Sequence, residues 1–420
     1  MVCRCVKDHW VSVLTFLLAI VAVAYQGRGF YHMMFVAEPN LCDLRQRWEE
    51  QQSVLKDRTR RDNGKAAMAP SGKNSSTTAE RNGRKIRNPS SGGYPPWAFF
   101  TGMLFLSASW PVTRVTFAAW NAFATVVIGV WAYYQGRPHG LQAGLLSACA
   151  VLAINAFCNS LVVGQYGTLV VALVIAAELA YRRQRHGISG LLIGVAMIKP
   201  TVAAPLVLPF VVRAAWKPLV VAALYLVVGT GVVYVMTEIN PIEMCAAMVR
   251  AGAQSTRADN GVAGLMWQSG MNVNWILPIL VTCGIGLLIV TIVRYRKMDP
   301  LVLFAVCCVI GRVCTYHRKY DNVMLVFLLV ALSFAACGPN RSLLAKVGFL
   351  MCGISLWLPV RFLSPQVQTI QMGVWLVSLC VFLVVVKRDG FVLSGLSCDP
   401  HANQARPLTP LRSFMSDTDV

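Results

Sequence analysis

Only 18 of the 420 residues are Asp or Glu, so an acid beside an apolar segment is a candidate for proton chemistry. Asp43 follows the first apolar stretch and heads Asp43-Leu44-Arg45-Gln46-Arg47-Trp48-Glu49-Glu50. A carboxylate at a membrane surface can take the proton of an attacking hydroxyl; the plainer role is a solvated loop acid paired with Arg45 or Arg47. A denser cluster is Arg312-Val313-Cys314-Thr315-Tyr316-His317-Arg318-Lys319-Tyr320-Asp321. One His, three cations and an acid suit phosphate binding and proton handling, or else an interfacial belt with Arg312–Asp321 type pairing. Lys199-Pro200 interrupts the apolar run 188–212. A lysine at membrane depth is costly, and it either meets a phosphate or snorkels to the surface. Asn159-Ser160-Leu161-Val162-Val163-Gly164-Gln165-Tyr166-Gly167 reads as a polar turn whose Asn159 and Gln165 hold sugar hydroxyls or satisfy bent backbone. Tyr94-Pro95-Pro96-Trp97 is a rigid entry into the next apolar helix. The 14 cysteines lie mostly inside apolar runs, and no paired spacing among them suggests zinc or a disulfide framework.

These groups need a scaffold, and composition names its solvent. Hydrophobic residues make up 56% of the chain and charged ones 13%, with mean hydropathy +0.56. A water-soluble fold cannot hide that much apolar surface, so lipid covers the excess. The net charge of +20 sits largely in short basic runs between apolar segments, which read as cytoplasmic anchors against anionic lipid and not as a nucleic-acid stripe, since no stacking aromatics are interleaved. Apolar segments lie near 11–25, 97–109, 112–134, 141–157, 165–181, 188–198, 201–212, 218–236, 273–293, 300–311, 322–336, 346–360 and 370–386. The expectation is an all-α polytopic bundle of about 12 transmembrane helices. Several segments are short for a span, which suggests an internal cavity.

Basic loops at 182–186, 213–217, 294–297 and 387–388 are expected inside the cell. Then 158–164, 237–272, 314–321 and 361–369 lie outside. Arg4 and Lys7 place the N-terminus inside and the loop 26–96 outside. These assignments conflict in parity unless one segment between 97 and 157 dips in and returns. Ala22-Val23-Ala24 also resembles a signal-peptide cleavage site. Residues 56–93 hold ten Lys or Arg against three acids and no apolar period, so they are expected to be a disordered insertion. Residues 1–390 are read as one transmembrane domain and 391–420 as an irregular cytoplasmic tail.

The stretch 159–217, with Asn159, Gly164-Gln165, Gly190 to Gly194, Lys199-Pro200 and the basic Arg213 to Lys217 ending, resembles the core signature of family-87 glycosyltransferases. These are polyprenol-phosphate-mannose-dependent members of the GT-C superfamily. Asp43-Leu44 followed by Tyr94-Pro95-Pro96 resembles the start of that family, and His317 with Tyr320-Asp321 its late outer-loop motif. The basic insertion 56–93 departs from the shorter segment usual there. The resemblance implies a GT-C-like bundle with an outer-face cavity lined by Asp43, Gln165, Lys199 and His317. It further implies inverting transfer of a hexose, mannose first, from a polyprenyl-phosphate-sugar donor to a lipid or glycan acceptor, with no cofactor or metal. By the same resemblance Asp43 is the general base, and His317 assists at the phosphate or the acceptor. Lys199, Arg312, Arg318 and Lys319 hold the donor phosphate. Asn159, Gln165, Tyr94 and Asp321 belong to the sugar or acceptor pocket. Membrane lipids are expected partners, nucleic acid is not, and a bacterial plasma membrane is the expected location. The reading from another class is a transporter or flippase of a lipid-linked substrate, since broken helices at midplane also mark transporters.

Overall fold

The computed structural model describes residues 9–36, 43–52, 80–81, 84–85, 94–256, 262–295, 297–315, 317–338, 342–359, 362 and 364–388. The described residues are almost wholly helical. Among the described residues the insertion 56–93 contributes the two-residue antiparallel pair β1 (Glu80–Arg81) and β2 (Arg84–Lys85). The rest of 56–93 and the tail 391–420 lie outside the described residues.

Among the described residues, six helical stretches are long and apolar enough to cross a bilayer: His9–Phe35, Trp110–His139, Leu141–Val163, Trp216–Thr237, Lys319–Cys337 and Gln366–Arg388. Helix α1 (His9–Phe35) runs unbroken through Ala22-Val23-Ala24; its 27 residues exceed the 7–15-residue apolar core of a signal peptide. Helix α2 covers 43–52. Helix α3 (Pro96–Gly102) has seven residues, about 10 Å, and cannot span. It is short enough to be the segment between 97 and 157 that was expected to dip and return. Helix α4 (Trp110–Gly136) is followed by α5 (Leu141–Leu152) and α6 (Asn155–Val163), which together cover one span.

Helix α7 (Gly167–Arg182) leads to a hairpin of two half-length helices, α8 (His186–Ala196) and α9 (Pro200–Val212). At 11 and 13 residues, about 16 and 20 Å, neither reaches across the roughly 30 Å core. The expected count of about 12 spans is not reached by the six stretches found among the described residues, and the apolar segments 97–109, 188–198 and 201–212 are not among those six. The rest are α10 (Trp216–Thr237), α11 (Pro241–Thr256), α12 (Val262–Gln268), α13 (Val273–Tyr295), α14 (Pro300–Cys314), a 3-10 turn (Lys319–Leu325) running into α15 (Val326–Cys337), α16 (Leu343–Trp357) and α17 (Pro365–Arg388).

With the basic loops placed inside, Arg137, Arg183, Arg185, Lys217, Lys297 and Arg388 fall at one end of the bundle. The loops holding Asp43, Gln165 and His317 fall at the other. The centre is formed by α14 and α15, buried along nearly their whole length. Gly311 of α14 lies so close to Pro205 of α9 that an added Cβ would stand 2.5 Å from the proline ring. At the basic end Glu178, 6% exposed, accepts from Arg182 of its own helix at 2.9 Å and from Arg213 at the foot of α9 at 2.9 and 3.1 Å. The hairpin is thereby tied to α7 at its base.

Candidate active site

Asp43 begins α2, and α2 is held by apolar anchors. Leu44 is fully buried against Gly164. That glycine ends α6 in the left-handed conformation, with φ +78°, and a Cβ on it would overlap Leu44 Cβ. Only glycine satisfies both conditions. Further along α2 the Trp48 indole donates to the Ser107 carbonyl at 2.8 Å and its ring packs 5.8 Å from Trp110. The turn after Gly164 is fixed on its other side by Tyr166, whose ring meets Phe117 edge-on at 5.4 Å.

Lys199 sits at the apex of the α8–α9 hairpin as the residue preceding α9. The break leaves backbone carbonyls unpaired, and the indole of Trp97 on α3 donates to that of Met197 at 2.8 Å. The apex therefore rests on α3. Asp321 opens the 3-10 turn before α15, where its Oδ2 also accepts from the Arg318 backbone N–H at 3.1 Å.

The side chains so placed form one connected chain. Gln165 Nε2 donates to Asp43 Oδ2 at 2.5 Å. Gln165 Oε1 accepts from Lys199 Nζ at 2.9 Å and from the Tyr94 hydroxyl at 3.4 Å. Lys199 Nζ donates to Asp321 Oδ1 at 2.5 Å and lies 4.5 Å over the Tyr320 ring. Asp321 Oδ2 is 3.3 Å from His317 Nδ1, and His317 Nε2 is 2.6 Å from the Thr315 hydroxyl. Burial pushes the His317 imidazole below its ordinary value, against the pull of Asp321. His317 Nε2 also lies 3.2 Å from the Gly311 carbonyl, to which the Thr315 hydroxyl donates at 2.8 Å, so both ring nitrogens face oxygen. Burial likewise raises the Tyr94 phenol, which stays protonated and able to donate.

Exposure grades along this chain. Gln165, Lys199, Asp321 and His317 are 6, 7, 3 and 2% exposed, whereas Asp43 is only half-buried. Of the four side chains expected to line an open cavity, Asp43, Gln165 and Lys199 touch in turn, and His317 joins them through Asp321. A cavity of about 20 Å³ lies beside them, lined by Arg47, Gln51, Tyr94, Tyr166 and Ile198 among others. It admits a water molecule and not a sugar. The open edge of the cluster is on the Asp43 side.

Other residues singled out from sequence lie elsewhere. Asn159 is within α6, not in a turn, and no hydrogen bond joins it to the cluster among the described residues; the turn is confined to 164–166. Arg312 is in the last turn of α14, where it donates to Asn322 at 2.7 Å and lies over Trp375. Arg318 is exposed and Lys319 half-buried at the rim. Tyr316 lies outside the described residues. Glu49 and Glu50 accept from Arg45 and Arg47. Sequence reasoning missed Gly164 as the seat of Leu44, Trp97 as the support of the hairpin apex, and Arg47, whose guanidinium lies 3.9 Å over the Tyr94 ring. A glycine directly preceding a polar site residue was the available signal for the first.

Residues 93–315, more than half of the chain, match the profile of glycosyltransferase family 87. The chain belongs to glycosyltransferase family 87. No curated protein and no solved structure matches it. Membership makes this family-87 chain a membrane glycosyltransferase, with a sugar donor and an acceptor as substrates and lipid around its helices. The matched region contains Tyr94, Asn159, Gln165, Lys199 and Arg312; Asp43, His317, Arg318, Lys319 and Asp321 lie outside it. The site is therefore joined across the family boundary by Gln165–Asp43 on one side and Lys199–Asp321 on the other.

Proposed function

We propose that this membrane glycosyltransferase is an inverting hexosyltransferase. It moves a hexose, mannose by family resemblance, from a polyprenyl-phosphate donor to a lipid or glycan acceptor at the non-cytoplasmic face of a bacterial plasma membrane. The observation that carries the proposal is Asp43. It is a half-buried carboxylate at the outer end of the bundle, aimed by a buried amide, in a family-87 chain. Asp43 takes the proton of the acceptor hydroxyl as its oxygen attacks the anomeric carbon. The bond from that carbon to the phosphate oxygen breaks on the opposite face, polyprenyl phosphate leaves with the electron pair, and the anomeric configuration inverts. Arg318 and Lys319, at the outer rim, balance the charge on the leaving phosphate. Their neighbour Arg312 is engaged with Asn322 and supports the rim from below.

Protein in lipid nanodiscs, given labelled polyprenyl-phosphate mannose or glucose and an acceptor glycolipid, should release polyprenyl phosphate and form a product of inverted configuration by NMR. Turnover with a nucleotide sugar only, or a retained anomer, overturns the proposal. Asp43→Asn keeps the shape but cannot accept the proton. It should lower turnover about 10²–10⁴-fold while the variant still elutes as folded protein.

A further inference from the structure

The Lys199 ammonium, which resemblance assigns to the donor phosphate, is already matched by a carboxylate: its shortest contact is Asp321 Oδ1 at 2.5 Å, and both side chains are under 10% exposed. Its second donation goes to Gln165 Oε1. An amide oxygen that accepts from a cation and a phenol leaves the amide nitrogen pointing the other way, and there it meets Asp43. The orientation of Gln165 is thus dictated by partners at both ends: both lone pairs of its oxygen are engaged, and one N–H is committed to Asp43. His317 and the Arg318 backbone N–H fix Asp321 in turn.

We infer that Gln165 is a positioning residue for the base, and that the buried Lys199–Asp321 pair serves to hold Gln165 and not to bind the donor phosphate. The inference rests on Asp43 acting as the base, as proposed above. The lysine polarises the amide, and the polarised N–H grips Asp43 Oδ2 and so fixes the carboxylate that takes the proton. Charged and titratable groups facing this region are Lys199, Asp321, Arg47 and Arg318, with the phenols of Tyr94 and Tyr320. Of these, Lys199 and Tyr94 reach Asp43 through Gln165.

Two substitutions test it, each assayed in nanodiscs with polyprenyl-phosphate mannose or whichever hexose donor the wild type uses. Gln165→Leu keeps the volume and removes the grip. Turnover should fall about 10–100-fold, a part of the effect of losing the base itself, with the donor KM within about threefold. Gln165→Glu sets a second carboxylate against Asp43. The two then share a proton, and the acid limb of the kcat/KM profile should move up by at least about one pH unit. Lys199→Met should resemble Gln165→Leu. A loss carried by the donor KM in Lys199→Met, an unmoved acid limb in Gln165→Glu, or wild-type turnover in Gln165→Leu each overturns the inference. Failure of both Gln165 variants to fold also overturns it, since the residue would then be scaffold. Asp43→Asn, run in parallel, separates the two levels. If it retains activity, the assignment of the base is wrong; if it is inactive while the Gln165 variants behave as wild type, only the positioning role is lost.

Discussion

At the scale of single residues, the cluster mixes one accessible acid with buried groups whose protonation burial controls. His317 carries a direct consequence for stability. Its imidazole is held below the ordinary 6.5 in the folded protein, so between the two values the unfolded chain binds more protons than the folded one. The stability this gives is fully present above about pH 6.5 and is lost as the pH falls through the folded value, at up to about 1.4 kcal/mol per pH unit. The apparent melting temperature in detergent should therefore drop between about pH 7.5 and about 5.5, and His317→Gln should flatten that slope. An equal slope in the variant would assign the acid sensitivity to other groups. Legibility at this scale was uneven. Asp43, Gln165, Lys199, His317 and Asp321 stand out in sequence because charged and amide groups are scarce in an apolar chain. Their partnerships do not. Contacts such as Lys199–Asp321 join residues 122 apart, and no local spacing encodes them.

At the scale of elements, two junctions decide whether those residues meet. The first is α2 on Gly164. Gly164→Ala forces a side chain into left-handed backbone at a cost of about 1–2 kcal/mol and pushes on Leu44. Because Asp43 is the neighbour of Leu44, activity should fall by more than the loss of melting temperature explains; equal retention of both would show that α2 is not seated there. The second junction is the foot of the hairpin. Glu178→Ala strips the carboxylate from Arg182 and Arg213, whose side chains are 15 and 22% exposed. Breaking such a pair should cost on the order of 2–4 kcal/mol, read as a thermal shift; a shift near zero would mean that water already screens the pair. The break at Lys199-Pro200 was legible, because proline and an uncompensated cation interrupt one apolar run. The ends of α6 were not, since Asn159 and Ser160 continue a helix whose polar groups face protein.

At the scale of the molecule, composition was sufficient for an apolar helical bundle, and the orientation expected from the basic loops is a prediction. The count of spans was the less legible part, because an apolar stretch does not disclose where its helix breaks, and α3, α8 and α9 have only seven, 11 and 13 residues. The orientation is open to a direct test. A cysteine placed at Ser269, in the 238–272 segment, should react in intact cells with a membrane-impermeant thiol reagent, whereas one at Lys217 should react only after the membrane is opened. The reverse pattern would invert the bundle and put Asp43 inside the cell.

The pairing of Lys199 with Asp321 also sets an order in time. When α8 and α9 leave the ribosome, their apex carries an ammonium that costs about 2.5–3.5 kcal/mol at the bilayer centre on insertion scales. Its carboxylate partner lies 122 residues downstream. At about 5–20 residues per second, that partner is absent for roughly 6–24 s. During this interval the hairpin has no counter-ion from the 3-10 turn, and the emerging protein must hold it at the interface or shield it with α3 and Gln165. The Asp43–Gln165–Lys199–Asp321 cluster is then among the last parts of the molecule to close, after most of the bundle is already in the membrane. Chains arrested before Asp321 should leave the 186–212 hairpin open to protease, and chains arrested well past it should not; equal protection in both would show that the hairpin seats without its counter-ion.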